Sequence, residues 1–84
     1  MIIKVLGSGC PKCQQLAHNA ELALKQLGLA APVQKVQDIR EIAKFRVMFT
    51  PALVVNDEVK SSGRIPEVSE IVSWLSTAAG QESA

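Results

Sequence analysis

The stretch "GSGCPKC", Gly7 to Cys13, decides how this chain is read, because it holds both cysteines of an 84-residue sequence. Two cysteines placed at random over that length would fall three apart in about 2% of arrangements, so the C-x-x-C spacing is not a cheap accident. Three chemistries compete for it: a redox pair, half of a metal site, or two small hydrophobes that are merely neighbours.

What flanks the pair favours unequal thiols. "IIKVL", residues 2–6, reads as a strand buried on both faces. Pro11 suits the first position of a helix, where a missing N–H costs nothing. The spacing predicts a helix from Pro11 to about Leu27, stopped by Gly28. Leu16, Ala20, Ala23, Leu24 and Leu27 then share one face with Cys13, while Gln14, His18, Glu21 and Lys25 share the other. Cys10 falls just before the first turn, where free N–H groups and the positive end of the helix dipole favour an anion. Lys12 supplies a neighbouring cation, although a solvated surface lysine explains it equally well, and Lys4 is a second candidate. A thiolate is the nucleophile in thiol chemistry, and such surroundings lower a thiol's pKa. An exposed Cys10 and a sheltered Cys13 suit a two-step exchange. Cys10 attacks a disulfide, and Cys13 then resolves the mixed disulfide. Pro11 restricts the backbone between them.

The metal reading is poorer in ligands. A closed tetrahedral zinc site takes four, whereas this chain has two cysteines and one histidine, and His18 falls on the wrong face. A two-thiolate site for copper(I) or a metalloid is what remains. A redox-sensing interaction domain that uses the same disulfide without turnover is the third alternative.

Composition narrows the classes further. A formal net charge of +1, with no run of Lys or Arg, argues against nucleic acid and against anionic membrane surfaces. No stretch approaches the roughly 18 apolar residues of a membrane span, and the N-terminal apolar run is interrupted at Lys4. A cytoplasmic protein is expected, and in that compartment a structural disulfide is not. The length suits one domain, expected over residues 1–79, with residues 80–84 as a fraying tail.

Downstream, "PVQKVQ" (32–37) reads as a strand. Asp38 with Glu41 offers a capping box for a short helix ending near Lys44 or Phe45. "ALVVN" (52–56) is a buried strand, and Asn56-Asp57 turns it into "EVKSS" (58–62) as a hairpin. Gly63 breaks the chain. Pro66 opens a last helix to about Thr77, with Val68, Ile71, Val72 and Leu75 as its apolar stripe and Trp74 at the stripe's edge. The order is β-α-β-α-β-β-α, an α/β class with a parallel first half and an antiparallel hairpin. Pro51 directly precedes the best strand, a place proline tolerates.

Taken together, "GSGCPKC", "VMFTPALVVNDEV" and "SSGRIP" resemble the thioredoxin fold. They come nearest to short prokaryotic thioredoxin-like proteins, also described as redox-active disulfide proteins or glutaredoxin-like thioredoxins. The resemblance spans about residues 2 to 77. It implies a mixed four-stranded sheet with helices on both faces and a thiol–disulfide oxidoreductase cycling the Cys10/Cys13 dithiol. It also implies that Thr50-Pro51 is cis and lies beside Cys10, that the backbone of Thr50 pairs with the substrate chain, and that the proline shields the thiols from metal. Pro11, Lys12, Phe49, Thr50, Pro51 and Gly63 become the expected substrate contacts. No bound cofactor is implied. Protein disulfides are the expected partners of a monomer, with reducing equivalents from a thioredoxin-reductase-like donor or a small thiol.

Three departures stand out. Thioredoxins proper carry a buried acid six residues before the first cysteine, and here that residue is Lys4. A glutathione site is not supported by "SSGR", in which Arg64 is free to meet a carboxylate. Phe45-Arg46 replaces an expected Tyr-Gly, and Phe49 replaces a small residue. Phe49 is expected either to stay exposed as a substrate contact or to pack on the first helix.

Overall fold

The computed structural model describes residues 1–83. Its elements follow the expected order: β1 (Ile3–Leu6), α1 (Pro11–Leu27), β2 (Val33–Val36), α2 (Ile39–Ala43), β3 (Ala52–Val55), β4 (Glu58–Ser62) and α3 (Val68–Ser83). The four strands form one sheet in the order β2-β1-β3-β4. β1 runs parallel to β2 and antiparallel to β3, and β3 pairs antiparallel with β4. The sheet is therefore mixed. The β1–α1–β2 crossover supplies its one parallel pair, as a helical connection must.

Alternation along β1 and β3 divides the core. Ile3, Val5, Leu53 and Val55 face α1 and α3, where they join Leu16, Ala20, Leu24, Ile71 and Leu75. Leu6, Ala52 and Val54 face the other way, against Ile42, Phe45 and Val47. Helices thus cover both faces, α1 and α3 on one and α2 on the other. On α1 the buried residues are Cys13, Leu16, Ala17, Ala20, Ala23 and Leu24, and His18 is exposed. Gly28 closes the helix in the left-handed conformation, with its N–H returned to Lys25.

Local chemistry explains several details. Asn56 and Asp57 adopt φ of 50° and 65°, the two positive values that a two-residue hairpin turn of the right twist requires. Asn56 also ties the N-terminus: its side-chain oxygen accepts from Ile2 at 2.9 Å, and its N–H donates to the Ile2 carbonyl at 2.8 Å. Asp38 caps α2 by accepting from Arg40 N–H at 2.8 Å. Glu41 reaches Lys44 at 3.0 Å. Arg64 meets Glu70 through two hydrogen bonds and lies over the Trp74 ring, which packs on the core from its flank.

The last helix departs from expectation at both ends. It starts at Val68, two residues after Pro66, and continues to Ser83 rather than stopping near Thr77. Nothing between Thr77 and Ser83 breaks a helix outright, since Gly80 costs about 1 kcal/mol at most, and Ala78 is buried on the core. Residues 80–83, within the segment expected to fray, lie in the last turn of that helix, and Ala84 lies outside the described residues.

Candidate active site

The two cysteines are free and differ in exposure. Cys10 is half-buried and Cys13 is 5% exposed. Their sulfurs lie 2.9 Å apart in a thiol–thiol hydrogen bond. Cys10 is the residue before the helix, extended at φ −66° and ψ 166°, and Pro11 occupies the first turn. The Cys10 carbonyl accepts from Gln14 N–H at 3.0 Å, which seats the turn on the helix. One helical turn then carries Cys13 onto the face that packs on the sheet.

Environment separates the two thiols electronically. The hydrogen bond from Cys13 lowers the Cys10 pKa most, and the amide N–H groups of Cys13 and Lys12 lower it further. These are the unpaired donors of a helix start, which favour an anion. Burial pushes the Cys13 thiol up, and its hydrogen bond to Cys10 adds to the rise.

Gly7, which sequence reasoning passed over, makes this packing feasible. A Cβ there would run into Cys13 Sγ and would stand 3.8 Å from Thr50 Cβ. The bare backbone of Gly7 therefore lets the α1 thiol and the 48–51 segment converge on the end of β1. Its only advance signal was a glycine at the junction of strand and turn.

Thr50-Pro51 is cis. The Pro51 carbonyl accepts from Gly63 N–H at 2.9 Å, which ties the segment to the end of β4. Gly63 has φ of 76°, and a Cβ on it would come within 2.9 Å of Phe49 Cβ. Glycine is needed there on both counts. Phe49 lies over Gly63 and is 67% exposed, so it does not pack on α1. Met48 and Ile39 are also exposed, at 87% and 79%. Ile39, Ile42, Val47, Met48 and Thr50 line a shallow groove that starts at Gly7 and Ser8.

Lys12 is exposed on the first turn of α1. Lys4 faces the α2 side, its Nζ 5.3 Å from the centre of the Phe45 ring. Lys4 therefore sits across the sheet from Cys13. Arg46 takes φ of 58°, a left-handed value, where the resemblance led us to expect glycine. Among the described residues, no three His, Cys, Asp or Glu side chains cluster to hold a metal, and no helix is long and apolar enough to cross a membrane.

Comparison with known proteins agrees with this architecture. A family model described as "Thioredoxin domain" matches residues 1–76. A thioredoxin of Methanocaldococcus jannaschii is 41% identical over 71 residues, covering 84% of this chain and 81% of its own length. A thioredoxin of Methanothermobacter thermautotrophicus is 37% identical over 76 residues, covering 90% of this chain and 99% of its own. This chain belongs to the thioredoxin family, a family of thiol–disulfide oxidoreductases.

Proposed function

We propose that this protein reduces disulfides with Cys10 as the attacking thiol and Cys13 as the resolving thiol. The observation that carries the reading is the unequal pair: sulfurs 2.9 Å apart, with one thiol reachable and eased toward its anion, and the other buried and held protonated.

The exchange follows from that inequality. Cys10 thiolate attacks one sulfur of a substrate disulfide and forms a mixed disulfide. The departing sulfur leaves with the bond's electron pair and takes up a proton. Cys13 then loses its proton and attacks Cys10, so that the Cys10–Cys13 disulfide forms and the second substrate thiol departs. The net change is one substrate disulfide reduced and one protein dithiol oxidised. Two electrons from a separate reductase or a small thiol restore the dithiol, with no bound cofactor.

Substrate docks as an extended segment beside Cys10. The backbone of Thr50, presented by Pro51, pairs with it in the manner of an added strand. Pro11 and Lys12 border the attacking thiol on one side. Phe49 and the open backbone of Gly63 are the further substrate contacts of this reading. The substrates are protein disulfides, and the protein works as a cytoplasmic monomer.

Single-cysteine variants test the assignment. Cys10→Ser should abolish reduction of a protein disulfide such as insulin. Cys13→Ser should accumulate a mixed disulfide that dithiothreitol releases. Normal reduction by both variants would refute the reading. Turnover with a reductase separates an enzyme from a redox sensor, and copper(I) titration before and after oxidation tests the metal alternative.

A further inference from the structure

The segment between β2 and Pro51 holds two features that the exchange does not use. One is the groove that runs from Gly7 past Thr50, walled by Ile39, Ile42, Val47 and Met48, and none of its described lining residues is charged. The other is Arg46. Its N–H donates to the Ala43 carbonyl at 3.0 Å just beyond α2, and its φ of 58° is left-handed. Glycine is the residue that leaves a helix in this way without strain. Arginine therefore holds an unfavourable backbone there, and neither packing nor an ion pair accounts for it. Arg46 is exposed, and among the described residues no carboxylate meets it.

The charges beside the groove are one-sided. Arg46 precedes Val47 in the chain and Arg40 follows Ile39, so both adjoin groove residues. Arg40 is likewise exposed and without an ion pair among the described residues. Lys4 lies on the same side of the sheet, its Nζ over the Phe45 ring. The segment has two carboxylates. Glu41 is neutralised by Lys44 at 3.0 Å. Asp38 is committed to the start of α2, where it accepts from Arg40 N–H at 2.8 Å. Asp57 and Glu58 stand at the hairpin turn, at the end of β3 away from Thr50. Lys4, Arg40 and Arg46 therefore outnumber Asp38 beside an uncharged groove.

We propose that the groove selects disulfides whose flanking chain is apolar and acidic, and that Arg46 is a specificity-determining residue for them. The inference rests on the substrate docking beside Thr50 as an extended segment. Apolar side chains of that segment leave water against Ile39, Val47 and Met48. A carboxylate on the same segment is attracted by Arg46 and Arg40, over distances comparable with the Debye length of about 8 Å at physiological salt. A segment bearing lysine is repelled instead, so the same charges select for one sequence and against another. The exchange at Cys10 is the one given above, and Arg46 takes no part in its bond changes.

The test uses the full chain and two peptide disulfides of equal length, alike except that aspartates flank the cystine in one and lysines in the other. The measured quantity is the ratio of kcat/KM for the aspartate peptide to that for the lysine peptide. Comparing this ratio between protein variants cancels the intrinsic reactivity of each peptide. Arg46→Gln keeps the backbone cost and removes the charge. It should lower the ratio by about two- to fivefold, the range of an exposed charge pair. Arg46→Lys should retain the ratio, and salt near 1 M should erase the difference between the unaltered protein and Arg46→Gln. A purely structural role would lower both rates together and leave the ratio fixed. An equal or higher ratio for Arg46→Gln would overturn the proposal, and a mixed disulfide trapped on Cys13→Ser by both peptides would confine that failure to the charge selection. If Cys13→Ser trapped neither peptide, attack by Cys10 would fall as well, and this inference with it.

Discussion

On one face of the sheet, Ile3, Val5, Leu53 and Val55 meet Leu16, Leu24, Ile71 and Leu75 from helices of 17 and 16 residues. On the other face, Leu6, Ala52 and Val54 meet a helix of five residues and the segment that follows it. The same two central strands therefore carry a deep core on one side and a thin one on the other. The thin side leaves Ile39, Met48 and Phe49 exposed beside Thr50. Apolar groups left in water beside Thr50 would serve the docking proposed above, whereas the deep face supplies most of the stability that holds the site. Cys13 belongs to the deep face, and Cys10 stands half-buried at the start of α1.

Unequal truncation costs give the largest test of that contrast. Leu75→Ala on the deep face should cost about 2–5 kcal/mol in urea unfolding, through lost burial and a residual cavity. Ile42→Ala on the thin face, where the side chain is only partly buried, should cost less than about 2 kcal/mol. Equal costs would break the division. Next comes Phe49→Ala, which should leave stability within about 0.5 kcal/mol and lower kcat/KM for protein disulfides by about tenfold, the worth of an apolar side chain buried on docking. A small aromatic disulfide that does not reach Phe49 should be reduced at the unchanged rate. Loss of stability without loss of kcat/KM would make Phe49 a packing residue.

Arg46 sharpens the contrast at the smaller scale. A non-glycine residue at φ of 58° is strained, and the thin face tolerates it. Arg46→Gly should raise the unfolding free energy by up to about 1 kcal/mol, net of the extra freedom glycine gains when unfolded. A lowered midpoint would show that the arginine side chain outweighs its backbone.

The smallest effect is read in pH. Since Cys10 titrates below the ordinary thiol range, its alkylation rate should rise with pH through that lowered value and level off above it. Cys13→Ala removes the largest cause of the lowering. The Cys10 profile should then move to higher pH, slowing alkylation near neutrality and leaving the alkaline plateau unchanged. An unmoved profile would assign the lowering to the helix start alone.

Much of this was legible in residue spacing. Pro11, Gly28 and the stripe on α1 define that helix and put Cys13 on its buried side, because period and termini are local properties. The hairpin was legible from two strands separated by Asn56-Asp57. The end of α3 was not, since the sequence from Thr77 to Ser83 lacks a strong stop and burial of Ala78 helps to continue the helix. Gly7 was also missed. Its need for a bare backbone comes from Cys13 Sγ, six residues away and across a turn.

The sequence by itself determined the element order, the amphipathic faces, and the separation of a thiol before a helix from a thiol within it, because chain stereochemistry over a few residues suffices for each. Tertiary structure decided which side of the sheet every group occupies. It set Lys4 against Phe45, away from the thiols. It left Phe49 over Gly63 in solvent, and it lined one groove with Gly7, Ile39, Met48 and Thr50. Strand order and register make those choices, and they bring together residues whose separation in sequence carries no signal of contact.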